Sequence, residues 1–287
     1  MSETTGVGEQ TGPGEQTGPG KQTGPGKQTG VGKQTGVGKQ TGVGEQTGPP
    51  EDHREPQLPG SGATDYERYL RTDELLSLQK TAAEWVHRDE LLFTTVHQTS
   101  ELWLKLAAAE VDEAADLMEA DRLAPALRLL RRAVLALDYV TGSLGMLEQM
   151  SPWEYQEIRV VLGHGSGFDS PGFRAVAAAT RRAGRAFYAL VDAAGLDLVE
   201  LYVRGREFEE LYQAAEALSD WDERIWVWRF RHYATVVRSI GEDTQGTQGT
   251  PVAVLGKLIA QRQLPELWKA RIALVERFDA REVDPKP

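Results

Sequence analysis

Apolar residues recur at intervals of three and four through most of the chain beyond residue 62, and this constrains the fold more than any other feature. The segments YERYLRTDELLSLQ, ELWLKLAAAEVDEAADLMEA, APALRLLRRAVLALDYVTGSLGMLEQM, FRAVAAATRRAGRAFYALVDAA and DERIWVWRFRHYATVVRSI all carry it. Such spacing places the apolar side chains on one helical face, and strand-like alternation is almost absent, so the expected fold class is all-α. Ser151-Pro152 followed by Glu154 predicts a helix start: a capping serine, proline in the first turn and a glutamate reaching back.

The first 62 residues are different in kind. From Gly8 to Pro49 a six-residue unit, G-[EK]-Q-T-G-[PV], repeats seven times with no aromatic residue. A segment of that composition buries too little apolar surface to offset its chain entropy, so residues 1–62 are expected to be a disordered tail and linker. Glycine does not occur at every third position, which excludes a collagen helix. Residues 63–287 form the expected single helical domain, large enough for one substantial core.

The chain has 287 residues, no cysteine and a formal charge of −11. No disulfide, zinc–thiolate, iron–sulfur or thiolate-ligated haem site can be built from it, so a metal would be held by His, Asp, Glu or Tyr. The acidic balance argues against a nucleic-acid surface, and Arg128, Arg131 and Arg132 read as a solvated helix face. No run is apolar enough for a signal or a membrane span, which points to the cytoplasm.

Five histidines are present. His53 falls in the linker and His87 in EWVHRDE, a mixed, exposed stretch. His97 and His232 sit in strongly helical, aromatic-rich segments; taken singly, such a histidine is more often a hydrogen-bonded core residue than a ligand. Glu84-x-x-His87 has di-iron spacing, but the matching positions before His97 and His232 are Thr94 and Arg229, so no second pair exists. His97 and Glu101 could share a metal at one-turn spacing without a companion motif, and Ser100 points away from His97. A haem with one histidine ligand suits an all-helical, cysteine-free chain, although spacing alone does not establish it. Two glycine-rich breaks, LGHGSGFDSPG and GEDTQGTQGTP, can turn the chain or bring backbone close to a ligand.

FTTVHQTSELWLK, WEYQEIRVVLGHGSGFDS, WRFRHYATVVRSIG and LPELWK, in that order, resemble tryptophan 2,3-dioxygenases. YERYLRTDELLSLQ resembles that family's N-terminal helix. The resemblance implies a ferrous haem b enzyme adding both atoms of dioxygen across the indole C2–C3 bond of L-tryptophan to give N-formylkynurenine. It implies that His232 is the axial iron ligand, and that His97 lies on the opposite, distal face near the indole N–H. The resemblance also implies that Phe93 packs on the indole and that the run Phe93, Thr94, Thr95, Val96 and His97 lines the substrate side. By the same resemblance Arg159 holds the substrate carboxylate, Tyr155 faces the same cavity, and Thr247 receives the ammonium group. Tyr66 and Tyr69 are similar to aromatics that cover a neighbouring subunit's pocket, which implies a homotetramer. Glu101, Trp103 and Lys105 are left to structure.

The chain also departs from the family pattern. Residues between GSGFDS and WRFRH are fewer than usual, His164 and Asp169 replace small or amide residues, and the segment after Thr247 is compacted. Two further readings accompany these departures: a haem monooxygenase acting on a tryptophan derivative or another aromatic amino acid, and a non-catalytic haem sensor. Arg159 separates the last, since a sensor has no evident need for a carboxylate clamp.

Overall fold

The computed structural model describes residues 55–283. The repeat tail expected to be disordered lies almost wholly outside the described residues.

Among the described residues ten α-helices follow in order: α1 (Asp65–Leu70), α2 (Thr72–Leu76), α3 (Glu90–Glu119), α4 (Leu123–Leu147), α5 (Pro152–Val161), α6 (Pro171–Ala193), α7 (Leu198–Val203), α8 (Glu209–Ile240), α9 (Ala253–Ile259) and α10 (Pro265–Val283). No strand occurs among the described residues beyond one isolated bridge between Gln245 and Pro251. The protein is all-α, as its periodicity requires. None of the helices is long and apolar enough to cross a membrane.

Four long helices make the core: α3 packs on α4 and α6, and α8 closes against α4 and α6. Leu104, Val111 and Met118 of α3, Leu130 and Leu137 of α4, Phe187 of α6, and Leu218 and Trp221 of α8 are fully buried between them. Each such side chain contributes roughly 1.5–3 kcal/mol relative to exposure. Buried alanines, among them Ala107, Ala114, Ala133, Ala183, Ala214 and Ala215, let the axes approach closely. The indole N–H of the fully buried Trp221 donates to Thr180 Oγ1 at 2.8 Å, so burial leaves that group satisfied.

The helix ends explain how the site is held. At the α3–α4 corner Asp121 adopts φ 56°, a left-handed conformation that aspartate tolerates, and the chain reverses at once. The expected start of α5 is present: the Ser151 side chain accepts from Trp153 N–H at 3.2 Å while Glu154 accepts from Ser151 N–H. YERYLRTDELLSLQ, however, does not form one helix. Arg71, at φ 53° and ψ 45°, ends α1 and begins α2, and the Arg71–Glu74 ion pair favours the break. His87 also differs from its exposed reading: its side chain is only 21% exposed, lying 3.8 Å from Glu154 Oε1.

Candidate functional site

His97 stands in the first half of α3 and points out of the four-helix core. Its Nδ1 lies 2.7 Å from the Phe93 carbonyl one turn earlier, so Nδ1–H donates there and Nε2 keeps its lone pair. Burial lowers the His97 pKa, opposed by that carbonyl and by the Glu101 charge. Its surface is nonetheless open to solvent. A ring crowded by neighbouring protein atoms yet reached by solvent is not a core residue.

His232, on α8, forms the facing wall. Burial, and then repulsion from a charged His97, push its pKa down to about 4, so its ring is neutral and free to ligate. The His97 charge reaches His232, so the two rings lie near each other. Trp228, one turn earlier, stacks on His232 with ring centroids 4.9 Å apart and planes within 9°. Phe173 of α6 packs behind Trp228 at 3.9 Å.

A side wall comes from α5. Phe93 lies 4.1 Å from the His97 ring and 6.2 Å from that of Tyr155, making an aromatic row. Burial raises the Tyr155 pKa, and the Arg159 charge opposes that rise, as expected of two side chains one turn apart on one face. Arg159 donates through Nη2 to the Gln245 carbonyl and through Nη1 to Gln156 Oε1 at 3.4 Å, so it already bridges α5 to the second glycine-rich loop. Thr247 donates to the Gly165 carbonyl, and Gln248 Nε2 to Asp169 Oδ2 at 2.6 Å. The two glycine-rich breaks therefore latch to each other beside Arg159.

His97, Phe93, Tyr155, Arg159, Thr247 and His232 are thus brought to one end of the bundle. Other candidates are not brought there within the subunit. Val96 is buried, roughly 100° around α3 from His97. Thr95 is exposed and Thr94 half-buried. Tyr66 and Tyr69 stand 69% and 77% exposed on α1.

Comparison with known proteins bears on the same site. The family model described as tryptophan 2,3-dioxygenase matches residues 51–180. Tryptophan 2,3-dioxygenase of Bacillus thuringiensis strain Al Hakam is 33% identical over 260 residues, covering 73% of this chain and 92% of that protein. Those of Myxococcus xanthus and Caulobacter vibrioides are each 34% identical, covering 91% and 98% of their own lengths. The chain belongs to the tryptophan 2,3-dioxygenase family.

It is a tryptophan 2,3-dioxygenase-like enzyme, and membership implies haem as cofactor and tryptophan as the substrate class. An alignment 260 positions long that uses only 73% of a 287-residue chain must also skip positions its relatives have, in keeping with a shortened member of the family. The residues present fit haem. Among the described residues no group of three or more His, Asp or Glu could hold a metal ion. One neutral imidazole faces a cavity whose other wall carries a second imidazole. On α4, Gly142 and Gly145 have nothing within 4 Å of where a Cβ would stand, leaving open room beside that helix.

Sequence reading overlooked three parts of this tryptophan 2,3-dioxygenase-like site. Trp228 was legible, since its spacing of four from His232 is written in WRFRH. Phe173 and the Asp169–Gln248 latch were not, because nothing local pairs residues 55 and 79 positions apart.

Proposed function

We propose that the protein is a haem-dependent dioxygenase that opens the indole ring of L-tryptophan to N-formylkynurenine. The observation that carries the reading is Arg159 beside the Phe93–His97–Tyr155 wall, opposite His232: a carboxylate clamp, an indole-sized aromatic surface and a ligand for iron at one cavity. Family membership supports the same substrate class.

Haem b, when bound through His232, supplies the ferrous iron that activates dioxygen. The chain's own residues do the rest. Arg159 leaves its loop carbonyl to hold the substrate carboxylate through two parallel N–H donors. Thr247, freed from Gly165, receives the ammonium group. Phe93 packs on the indole. With Nδ1–H committed to the Phe93 carbonyl, His97 presents Nε2 as an acceptor for the indole N–H and fixes which edge of the ring faces the iron. Closure of the latched loops excludes water from that space. The reading carries two further elements from the resemblance: Tyr66 and Tyr69 reaching a neighbouring subunit's pocket in a homotetramer, and residues 63–287 acting as the catalytic domain.

The test is to reduce haem-loaded protein without air, add L-tryptophan and then oxygen, and weigh the product. Gain of two oxygen atoms with loss of the indole ring supports the reading. Gain of one oxygen replaces it with monooxygenation, and no product from tryptophan or its analogues overturns turnover on this substrate class.

A further inference from the structure

Glu101 lies one turn beyond His97 on α3, yet its carboxylate turns away from the cavity toward the start of α6. There it accepts from Ser170 Oγ at 2.5 Å and from Gly172 N–H at 2.9 Å. The Ser170 hydroxyl has one proton, and giving it to Glu101 leaves its lone pairs to accept from Phe173 N–H at 3.1 Å. Two of the four amides that a helix start leaves unpaired are thus satisfied by one glutamate and one serine. A carboxylate also suits the positive end of the α6 dipole.

The approach is too close for any other residue at 172. A Cβ on Gly172 would stand 2.7 Å from Glu101 Oε2 and 2.7 Å from Leu104 Cβ, so α6 is seated on α3 with no slack. What α6 carries into the interior is Phe173, in contact with Trp228, which in turn lies flat on His232. A continuous chain of contacts therefore runs from the helix of one cavity histidine to the ring plane of the other.

We propose that Glu101 is a positioning residue: through Ser170 and Phe173 it holds Trp228 flat against His232 and so sets the orientation of the axial imidazole. The inference rests on His232 being the iron ligand, as in the reading above. An imidazole is free to turn about its Cβ–Cγ bond, and ligand-field strength depends on where that ring points. Groups behind a ligating histidine fix this, and removing one typically costs about 10–100-fold in metal affinity.

The experiment reads the iron–histidine stretching band of the ferrous, haem-loaded protein by resonance Raman, together with the rate of haem transfer to an excess of apomyoglobin. Glu101→Gln keeps size and packing but surrenders one acceptor oxygen; Ser170→Ala and Trp228→Leu cut the chain further along. Each is expected to shift and broaden the band and to speed haem loss about tenfold, with Trp228→Leu the largest. Asp222→Asn, which weakens the tie of α10 to α8 without bonding to any member of this chain of contacts, is expected to leave the band in place. An unshifted band in haem-loaded Glu101→Gln and Trp228→Leu overturns the proposal, as does an equal shift in Asp222→Asn. His232→Ala separates the premise: if it keeps the band, the axial assignment fails, whereas if it loses the band while Glu101→Gln and Trp228→Leu keep theirs, only the positioning role fails.

Discussion

A histidine whose Nδ1 proton is committed to a carbonyl has one lone pair left to use, and His97 is in that position. Burial lowers its pKa below the ordinary 6.5, so the ring stays neutral through physiological pH and takes a proton only in acid. A protonated ring cannot accept from an indole N–H. The acid limb of kcat/KM should therefore lie below the ordinary histidine range, with a plateau across neutrality, and His97→Ala should lower the plateau and abolish that limb. An acid limb unchanged in the alanine variant would assign it to another group. Arg159 permits a sharper split. Arg159→Gln should lose about 3 kcal/mol of charge-assisted hydrogen bonding to the substrate carboxylate, on the order of a hundredfold in kcat/KM. For indole itself, which has no carboxylate, the same variant should cost little.

At the level of elements, periodicity made the four core helices legible, because each buries a continuous apolar face. It did not reveal what stops or ties them. Arg71 splits a run that looks helical throughout, since helix signal is carried by side chains and the break by one backbone torsion. Asp222 is another case: one of six acidic residues on α8, it shows its purpose only in three dimensions. It is 1% exposed and accepts from Gln263 N–H at 2.9 Å, Leu264 N–H at 3.1 Å and Trp268 Nε1–H at 2.8 Å, fastening α10 to α8. Asp222→Ala leaves those donors inside without partners and should cost about 3 kcal/mol, read as a lower denaturant midpoint with little change in slope. The glycine-rich loops follow the same logic. Their composition marked them as loops, but only the fold shows Gln248 bonded to Asp169. Asp169→Ala should raise KM for tryptophan more than it lowers kcat, because the latch shapes the pocket's mouth and not the reacting atoms.

At the scale of the molecule, the outer surface is more apolar than one subunit needs. Trp103 and Tyr139 stack 4.8 Å apart on the exposed face of α3 and α4, beside the exposed Leu102, Leu106 and Leu135. Tyr66 and Tyr69 project from α1, which buries no residue of its own. Contiguous exposed apolar surface of this kind marks contact with another chain, and the expected homotetramer would supply it. What holds α1 in place lies just before it. Arg68 donates to the Leu58 carbonyl at 2.6 Å and to the Gly62 carbonyl at 2.7 Å, and Leu58 N–H donates to Asp65 at 2.7 Å. Two truncations therefore separate the tail from the seat of α1. Removing residues 1–54 should leave the oligomeric state, haem loading and KM as they are in the full chain. Removing residues 1–62 deletes Leu58 and Gly62, frees Arg68 and Asp65, and lets α1 move. If Tyr66 and Tyr69 cover a neighbour's pocket, KM should then rise severalfold while the tetramer and its haem persist. A fully assembled 63–287 tetramer with unchanged KM would remove both tyrosines from the site.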